Sequence, residues 1–395
     1  MSNSFFARQP STGEILEMID GYSVWMEIDL DAIGFNLRTV RDLTGADVVP
    51  CLKNGAYAHG LPATVAYLLT QGVQKFLVAK MLEARQIHGA CLDCGIINME
   101  PIFTKKQCEE VLDNDVTQVA YHKKTGLMLS EAAEKKSKTA KIWVKVDTGL
   151  GRVGVDYEQA AELIEYLSSL QGIEIDGVFS TLLEDEKDSI QIVRFNELRE
   201  KVFNRGIRIP TWSMASSHGI FFRPDAHFDA VRPGLMLFGL YPTPESRKTG
   251  VELKQAMCLK SRLEHVKWVE KGTPLTYGAS FVAPRRIKVG TMHMGYSDGY
   301  PRQLSRRGLV KVEEKIRPII GGISINHSLV DLTGTNAEIG SVVEAISREG
   351  KNSAHNLCDI AGIEPYQLMV WTNPLIPRVY YRDGLIVAVD DPQLY

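Results

Sequence analysis

A lysine that closes an apolar run stands at the mouth of whatever fold the run helps to build, and Lys53 does so after Val48-Val49-Pro50-Cys51-Leu52. Partial desolvation at such a mouth favours a neutral amine, which can attack a carbonyl to form a Schiff base. On position alone, an inert lysine at a loop mouth fits equally well. Two other segments can answer this amine. Ser216 and Ser217 end the run Ser213-Met214-Ala215, and Arg232-Pro233-Gly234-Leu235 ends another. Hydroxyls together with backbone amides beside a glycine suit a phosphate dianion. With Lys53 across the mouth from such loops, a phosphorylated aldehyde such as pyridoxal phosphate becomes a reasoned cofactor. Lys145 interrupts the apolar stretch Ile142-Trp143-Val144-Lys145-Val146, where an unpaired ammonium is costly. It needs a partner, a chemical modification or a path to solvent. Arg152 comes seven residues later, beyond Gly149 and Gly151, which let the backbone approach a ligand closely.

Positioning these groups requires a scaffold that gathers strand ends. Short apolar or β-branched runs recur at 48–52, 75–79, 95–99, 117–121, 141–147, 175–180, 210–214 and 228–232. Between them, segments such as 61–71, 157–170 and 189–204 carry apolar residues at three- and four-residue spacing, a helical period. Eight such alternations predict an α/β fold, a (β/α)8 TIM-type barrel over 22–240, with reactive groups at the C-terminal ends of its strands. After Leu240, glycines and prolines punctuate short β-type runs, which predicts a mainly β C-terminal domain over 241–395. Residues 24–30 alternate as a strand preceding the barrel, and Asp31 is the expected cap of a helix running to Leu43. Residues 1–21 read as a partly ordered N-terminal extension, and the charged runs 134–141 and 184–188 as solvated faces.

The bulk properties exclude several classes. With 45 Lys plus Arg against 48 Asp plus Glu in 395 residues, the chain has no basic excess to hold nucleic acid or an acidic membrane surface. No apolar run approaches the roughly 18 residues of a membrane helix. Six cysteines are sparse for a disulfide framework. Cys91 and Cys94 have C-x-x-C spacing without a second pair, so they read as structural and no metal site is expected. The first 20 residues lack a signal-peptide apolar core, and a cytoplasmic enzyme is the expectation.

From Val24 to Arg378 the motifs resemble the alanine racemases and their fold-type III pyridoxal-phosphate relatives. The segment VWMEIDLDAIGFNL resembles the family's first strand and helix, and CLKNGAYAHG its cofactor-lysine motif. The resemblance implies Lys53 as cofactor lysine and Tyr57 as a phosphate partner. KVDTGLGRVGV is similar to the segment supplying a carbamylated lysine, here Lys145, and the substrate-site arginine it orients, here Arg152. AVRPGLMLFG is similar to the segment whose arginine faces the pyridine nitrogen, here Arg232, with Gly234 and Leu235 offering amides to the phosphate beside Ser217. PLTYGASF and GYSDGYPR resemble the second catalytic base and the substrate entrance, here Tyr277 and Tyr296, with Ile325 at the substrate wall. The family also implies a homodimer with sites shared between chains, acting on a small amino acid.

Four departures stand out. Thr181 occupies the usual place of a histidine, Ser216-Ser217 replaces asparagine–serine, Ile325-Asn326 replaces methionine–aspartate, and Pro374 stands where an entrance tyrosine is expected. The implied activity is two-base amino-acid racemisation by Lys53 and Tyr277, with alanine the first substrate and a larger amino acid a second option. A decarboxylase of the same architecture lacks its cysteine–aspartate motif here. A pyridoxal-phosphate homeostasis protein resembles the barrel alone.

Overall fold

The computed structural model describes residues 3–392. Strand β1 (Val24–Asp29) leads into a helix, Leu30–Thr44, capped by Asp29, whose Oδ1 accepts the Ala32 amide at 3.1 Å. Asp31, the expected cap, instead accepts the Asp383 amide. A cap must precede the first turn to reach its free amides, and Asp31 already lies inside it.

Next come β2 (Asp47–Val48), β3 (Lys75–Val78), β4 (Gly95–Asn98), β5 (Thr117–Ala120), β6 (Ala140–Asp147), β7 (Val155–Asp156), β8 (Ile173–Phe179), β9 (Trp212–Ser216) and β10 (Ala230–Arg232). All but the short β7 form one parallel sheet in the order β2-β10-β9-β8-β6-β5-β4-β3. A parallel bridge between Cys51 and Leu77 joins its two edges, and the ring closes. The eight runs expected from the sequence are these strands. Their inward side chains fill the barrel with Val49, Leu77, Ile97, Val119, Trp143, Phe179 and Ala230. Fully buried Trp143 donates its indole N–H to Asp176 at 2.9 Å, and Gly177 leaves the space its ring occupies.

The remaining strands are β11 (Met257–Val269), β12 (Pro274–Leu275), β13 (Phe281–Val282), β14 (Ile287–Met292), β15 (Leu309–Val312), β16 (Lys315–Ile320), β17 (Ser328–Asp331), β18 (Val342–Ile346), β19 (Arg378–Arg382) and β20 (Leu385–Asp390). Their main sheet runs β14-β17-β16-β15-β18-β11-β1-β19-β20, and β11 also pairs β14, so six of them close on themselves. β1 precedes the barrel in the chain but pairs here, antiparallel to β11 and parallel to β19. Asn36, buried on the helix after β1, binds the Leu237 and Lys254 carbonyls at 3.0 and 2.8 Å and ties the barrel to the connection into β11.

Part of the N-terminal extension is a docked helix, Thr12–Gly21, with a Ser11–Glu14 capping box. Its Ile15 and Ile19 pack with Trp25, Val379 and Val389, so an apolar stripe orders what composition left open. Of the run expected to be solvated at 184–188, Asp188 is buried and accepts the Glu184 amide at 2.9 Å. Among the described residues no helix is long and apolar enough to cross a membrane.

Candidate active site

Lys53 opens a turn of unusual hand. Asn54, Gly55, Ala56, Tyr57 and Ala58 all have φ between 53° and 67°, a left-handed coil that costs L-residues with a Cβ about 1–2 kcal/mol each. Neighbours hold it there. Arg378 on β19 donates from Nε to the Ala58 carbonyl at 2.7 Å, and His59 bonds the Tyr57 carbonyl at 2.9 Å while stacking on Phe238. Buried Glu83 accepts the Gly55 amide at 3.3 Å and the Ala79 amide at 2.7 Å, fastening the turn to the end of β3. Sequence reading passed over Glu83. Nothing in its local pattern distinguishes it from a solvated helix residue, and only the fold brings residue 55 to it.

The turn rolls Tyr57 inward. Its ring lies between Phe238 and Tyr366, with centroids at 5.6 and 6.3 Å, and its hydroxyl rests against Gly234 where a Cβ would collide. Burial, with smaller contributions from Cys51 and Tyr366, pushes that hydroxyl well above the usual tyrosine range, so it stays a protonated donor. Buried Ser217 accepts the Gly234 and Met236 amides at 3.1 and 3.4 Å. Hydroxyl, glycine and amides thus form one cradle. Leu235 begins the helical turn beneath it, fully buried. Lys53 does not face this cradle from across the mouth, as the sequence suggested. β2 and β10 are adjacent, and Cys51 donates its amide to the Pro233 carbonyl at 2.8 Å, so lysine and cradle are neighbours.

Arg232, ending β10, is 6% exposed, and all its hydrogen-bond partners are neutral oxygens. Nη1 donates to Ser213 Oγ at 2.6 Å, and Nη2 to the Ser180 and Met214 carbonyls at 2.6 and 3.2 Å. Burial brings the guanidinium down to about 10, which leaves it charged near neutrality. A buried cation without a carboxylate has electrostatic capacity left for a ligand.

Lys145 is also buried. Its Nζ donates to Thr181 Oγ1 at 2.8 Å and sits 4.8 Å from the Phe179 ring centre. Burial first, then the charges of Arg232 and Arg152, press its amine well below the ordinary lysine range. Thr181 is therefore Lys145's partner, a neutral one. Arg152 lies exposed on the loop after β6, shaped by Asp147 accepting the Gly149 and Gly151 amides at 2.9 and 3.1 Å.

Tyr277, Tyr296 and Ile325 are elsewhere, on the outer face of the second domain, at 90%, 43% and 54% exposure. Their backbones are braced all the same. Thr276 Oγ1 accepts the Gly322 amide at 3.1 Å, Tyr296 donates its amide to Ser324 at 3.1 Å, and Asn326 donates from Nδ2 to Ser297 Oγ at 2.9 Å. One segment, 322–326, supports all three. Pro374 follows Asn373, which donates to the Ser297 and Asp298 carbonyls at 3.0 and 3.3 Å beside Tyr296, and it lines a cavity of about 940 Å³ behind the Lys53 turn, with Asn54, Gly55 and Lys80. Tyr366, on the helix Pro365–Trp371, sets its ring 6.3 Å from that of Tyr57 at the barrel mouth. Ser216 donates to Glu184 at 3.2 Å and takes no part in the cradle.

The chain matches two family descriptions in succession, "Alanine racemase, N-terminal domain" over residues 28–242 and "Alanine racemase, C-terminal domain" over 256–380. The chain belongs to the alanine racemase family. It is an enzyme of the racemase class. The alanine racemase of Clostridium novyi (strain NT) is 31% identical, the alignment covering 93% of this chain and 97% of that one. The structure of the Clostridium difficile 630 alanine racemase superposes with a TM-score of 0.88 at 25% identity, covering 94% of this chain and 98% of the other. That of the Bartonella henselae alanine racemase with covalently bound pyridoxal phosphate does so with a TM-score of 0.78 at 26% identity, over 91% and 100%. Membership of this family implies pyridoxal phosphate, and the donor set at the barrel mouth fits it. A primary amine, an anion cradle and a buried uncompensated guanidinium occupy adjacent strand ends.

Proposed function

We propose that this racemase interconverts the enantiomers of a small amino acid, alanine first, with pyridoxal phosphate held at the barrel mouth. The observation that carries the reading is the adjacency of Lys53, the Tyr57–Ser217–Gly234 cradle and Arg232. Lys53 would hold the cofactor's carbonyl carbon. Tyr57, Ser217 and the amides of Gly234 and Leu235 would hold its phosphate, the Gly234 amide exchanging Ser217 for a stronger acceptor. When bound, the group draws electrons from the α-carbon and acidifies its proton.

Moving that proton is work for this chain's side chains. Inversion needs a base on each face of the α-carbon, and Lys53 and Tyr277 would fill the two positions. Arg232, a donor with only neutral partners, would face the ring nitrogen with a hydrogen bond rather than a proton, which would favour return of the α-proton over side reactions. Tyr277 is 90% exposed, with its hydroxyl left to solvent within its own chain. The proposal therefore includes a homodimer in which Tyr277, Tyr296 and Ile325 close the partner's mouth, beside Arg152. Lys145, its amine held well below the ordinary lysine range by burial, would take up carbon dioxide as a carbamate, whose negative charge would orient Arg152. Unpaired cysteines throughout suit a reducing, cytoplasmic setting.

Thr181, Ile325 and Asn326 favour a changed substrate preference. Thr181 spends its hydroxyl on Lys145, and neutral Asn326 bonds Ser297. β-branched Ile325 is stiffer than methionine. The test is incubation of the holoenzyme with single L-amino acids in deuterated water, followed by chiral analysis. Racemisation gives the α-deuterated D-enantiomer with its carboxylate intact. Loss of the carboxylate would point to decarboxylation, and no turnover of any amino acid to a carrier protein.

A further inference from the structure

Away from the barrel mouth, three side chains with metal-ligating chemistry converge on the second domain. Glu264 lies on β11, His293 directly follows β14, and His327 directly precedes β17. The register explains the meeting. Met292 pairs with Ser328, so His293 and His327 are the next cross-strand neighbours in the same antiparallel ladder. Between β11 and β14, Leu263 pairs with Met292 and His265 with Thr291, which leaves Glu264 as the extra residue of a β-bulge. A bulge re-aims the side chain it carries. Here the Glu264 carboxylate reaches both imidazoles through separate oxygens, Oε2 to His293 Nδ1 at 2.7 Å and Oε1 to His327 Nε2 at 2.9 Å. The two rings stand edge to face, centroids 5.5 Å apart, and the three ligand atoms lie within 4.8 Å of one another.

We propose that Glu264, His293 and His327 form a binding site for a divalent transition metal of the zinc class. Two imidazoles and one carboxylate are borderline donors that zinc takes readily, whereas calcium and magnesium prefer oxygen alone. Zinc bonds of about 2.0–2.1 Å place neighbouring tetrahedral ligands roughly 3.3 Å apart. The oxygen–nitrogen contacts of 2.7 and 2.9 Å must open by about 0.4–0.6 Å, one carboxylate oxygen must turn to face both imidazoles, and the three ligand atoms, now within 4.8 Å of one another, must draw in to admit the ion. Side chains 38–47% exposed have room to do so, and water can complete the coordination. The ion would cross-link three strands. The chain runs on from His293 into Tyr296 and back from His327 into Ile325, and these segments already pair through Tyr296 to Ser324 and Ser297 to Ile325, at 3.1 and 3.0 Å. The site thus stands behind the loops that present both residues.

The test titrates the dialysed holoenzyme with zinc chloride by calorimetry, and with cobalt chloride by visible spectroscopy, in a non-chelating buffer without amino acid. The expected result is one equivalent per chain, a four-coordinate cobalt spectrum of nitrogen and oxygen donors, and a Tm raised by about 2–5 °C at hundredfold excess over Kd. His293→Ala and His327→Ala should each weaken binding at least tenfold, and the Cys91→Ser/Cys94→Ser variant should bind as the parent does. Should a histidine variant fail to fold, Glu264→Gln carries the same expectation. Binding that survives these substitutions, thiolate bands in the cobalt spectrum, or no saturation below about 1 mM would overturn the proposal. A hydrogen-bonded triad that takes no ion gives the last of these outcomes.

Discussion

At the barrel mouth Tyr57, Ser217 and Arg232 are 3%, 2% and 6% exposed, whereas Tyr277, Tyr296 and Ile325 on the second domain are 90%, 54% or 43% exposed in the order Tyr277, Ile325, Tyr296. The first group is fully engaged: each side chain rests on a neighbour fixed by the barrel. The second rests on loops tied by hydrogen bonds to 322–326 and, through Asn373, to 297–298, with its side chains largely outward and Arg302 5.8 Å from the Tyr296 ring. One region has the packed build of a finished receptor, and its donor set fits the pyridoxal phosphate that family membership implies. The other presents exposed side chains on a braced backbone, the pattern expected where a binding partner supplies further surface.

Four experiments press on that contrast. The largest effect is expected at Lys53: Lys53→Ala should lower racemisation by about 10³-fold or more, and borohydride trapping of the parent should recover the pyridoxyl label on Lys53 alone. A label on another lysine would remove the finished receptor. Tyr277→Phe comes next, with a loss of about 10²–10⁴-fold in kcat and a stability within about 0.5 kcal/mol of the parent, since so exposed a hydroxyl packs on nothing. Mixed with Lys53→Ala under exchange conditions, it should regain activity through hybrid dimers; no recovery would make each chain work alone.

Gly234→Ala drives a methyl into the Tyr57 hydroxyl. It should weaken pyridoxal phosphate binding about tenfold and cost about 1–3 kcal/mol in denaturant melts, from overpacking. The smallest effect concerns Lys145 and pH. Its native amine titrates well below the ordinary 10.5, so between those values the unfolded chain holds a proton that the folded chain lacks. Stability then rises with pH, by up to about 1.4 kcal/mol per unit. Lys145→Met lacks this slope, so in carbon-dioxide-free melts its advantage over the parent should be greatest in acid and shrink as pH rises. A constant difference would mean that Lys145 is not a buried free amine.

Much of this was legible in the chain because it is local. Eight β-type runs marked eight strands, and the residues after them marked the mouth. What escaped depends on partners distant in sequence. Alternation marked residues 24–30 as a strand, observed as Val24–Asp29, but not that β11 and β19 flank it. Asn54 and Gly55 tolerate a left-handed turn, yet Ala56, Tyr57 and Ala58 adopt it only because Arg378 and Phe238 enforce it. Tyr366 sat in an ordinary amphipathic helix, and Glu264, His293 and His327 share no spacing that marks a ligand set.

The left-handed turn also orders events during synthesis. Its clamp, Arg378, is translated 320 residues after Ala58, and β1 likewise awaits β11 and β19. At about 5–20 residues per second, some 16–64 s separate the two ends. Over that interval the nascent barrel can gather its strands while residues 54–58 remain free to take the right-handed conformations they intrinsically prefer. The turn that carries Lys53 thus takes its final hand only after residue 378 has been made, long after the strands on either side of it.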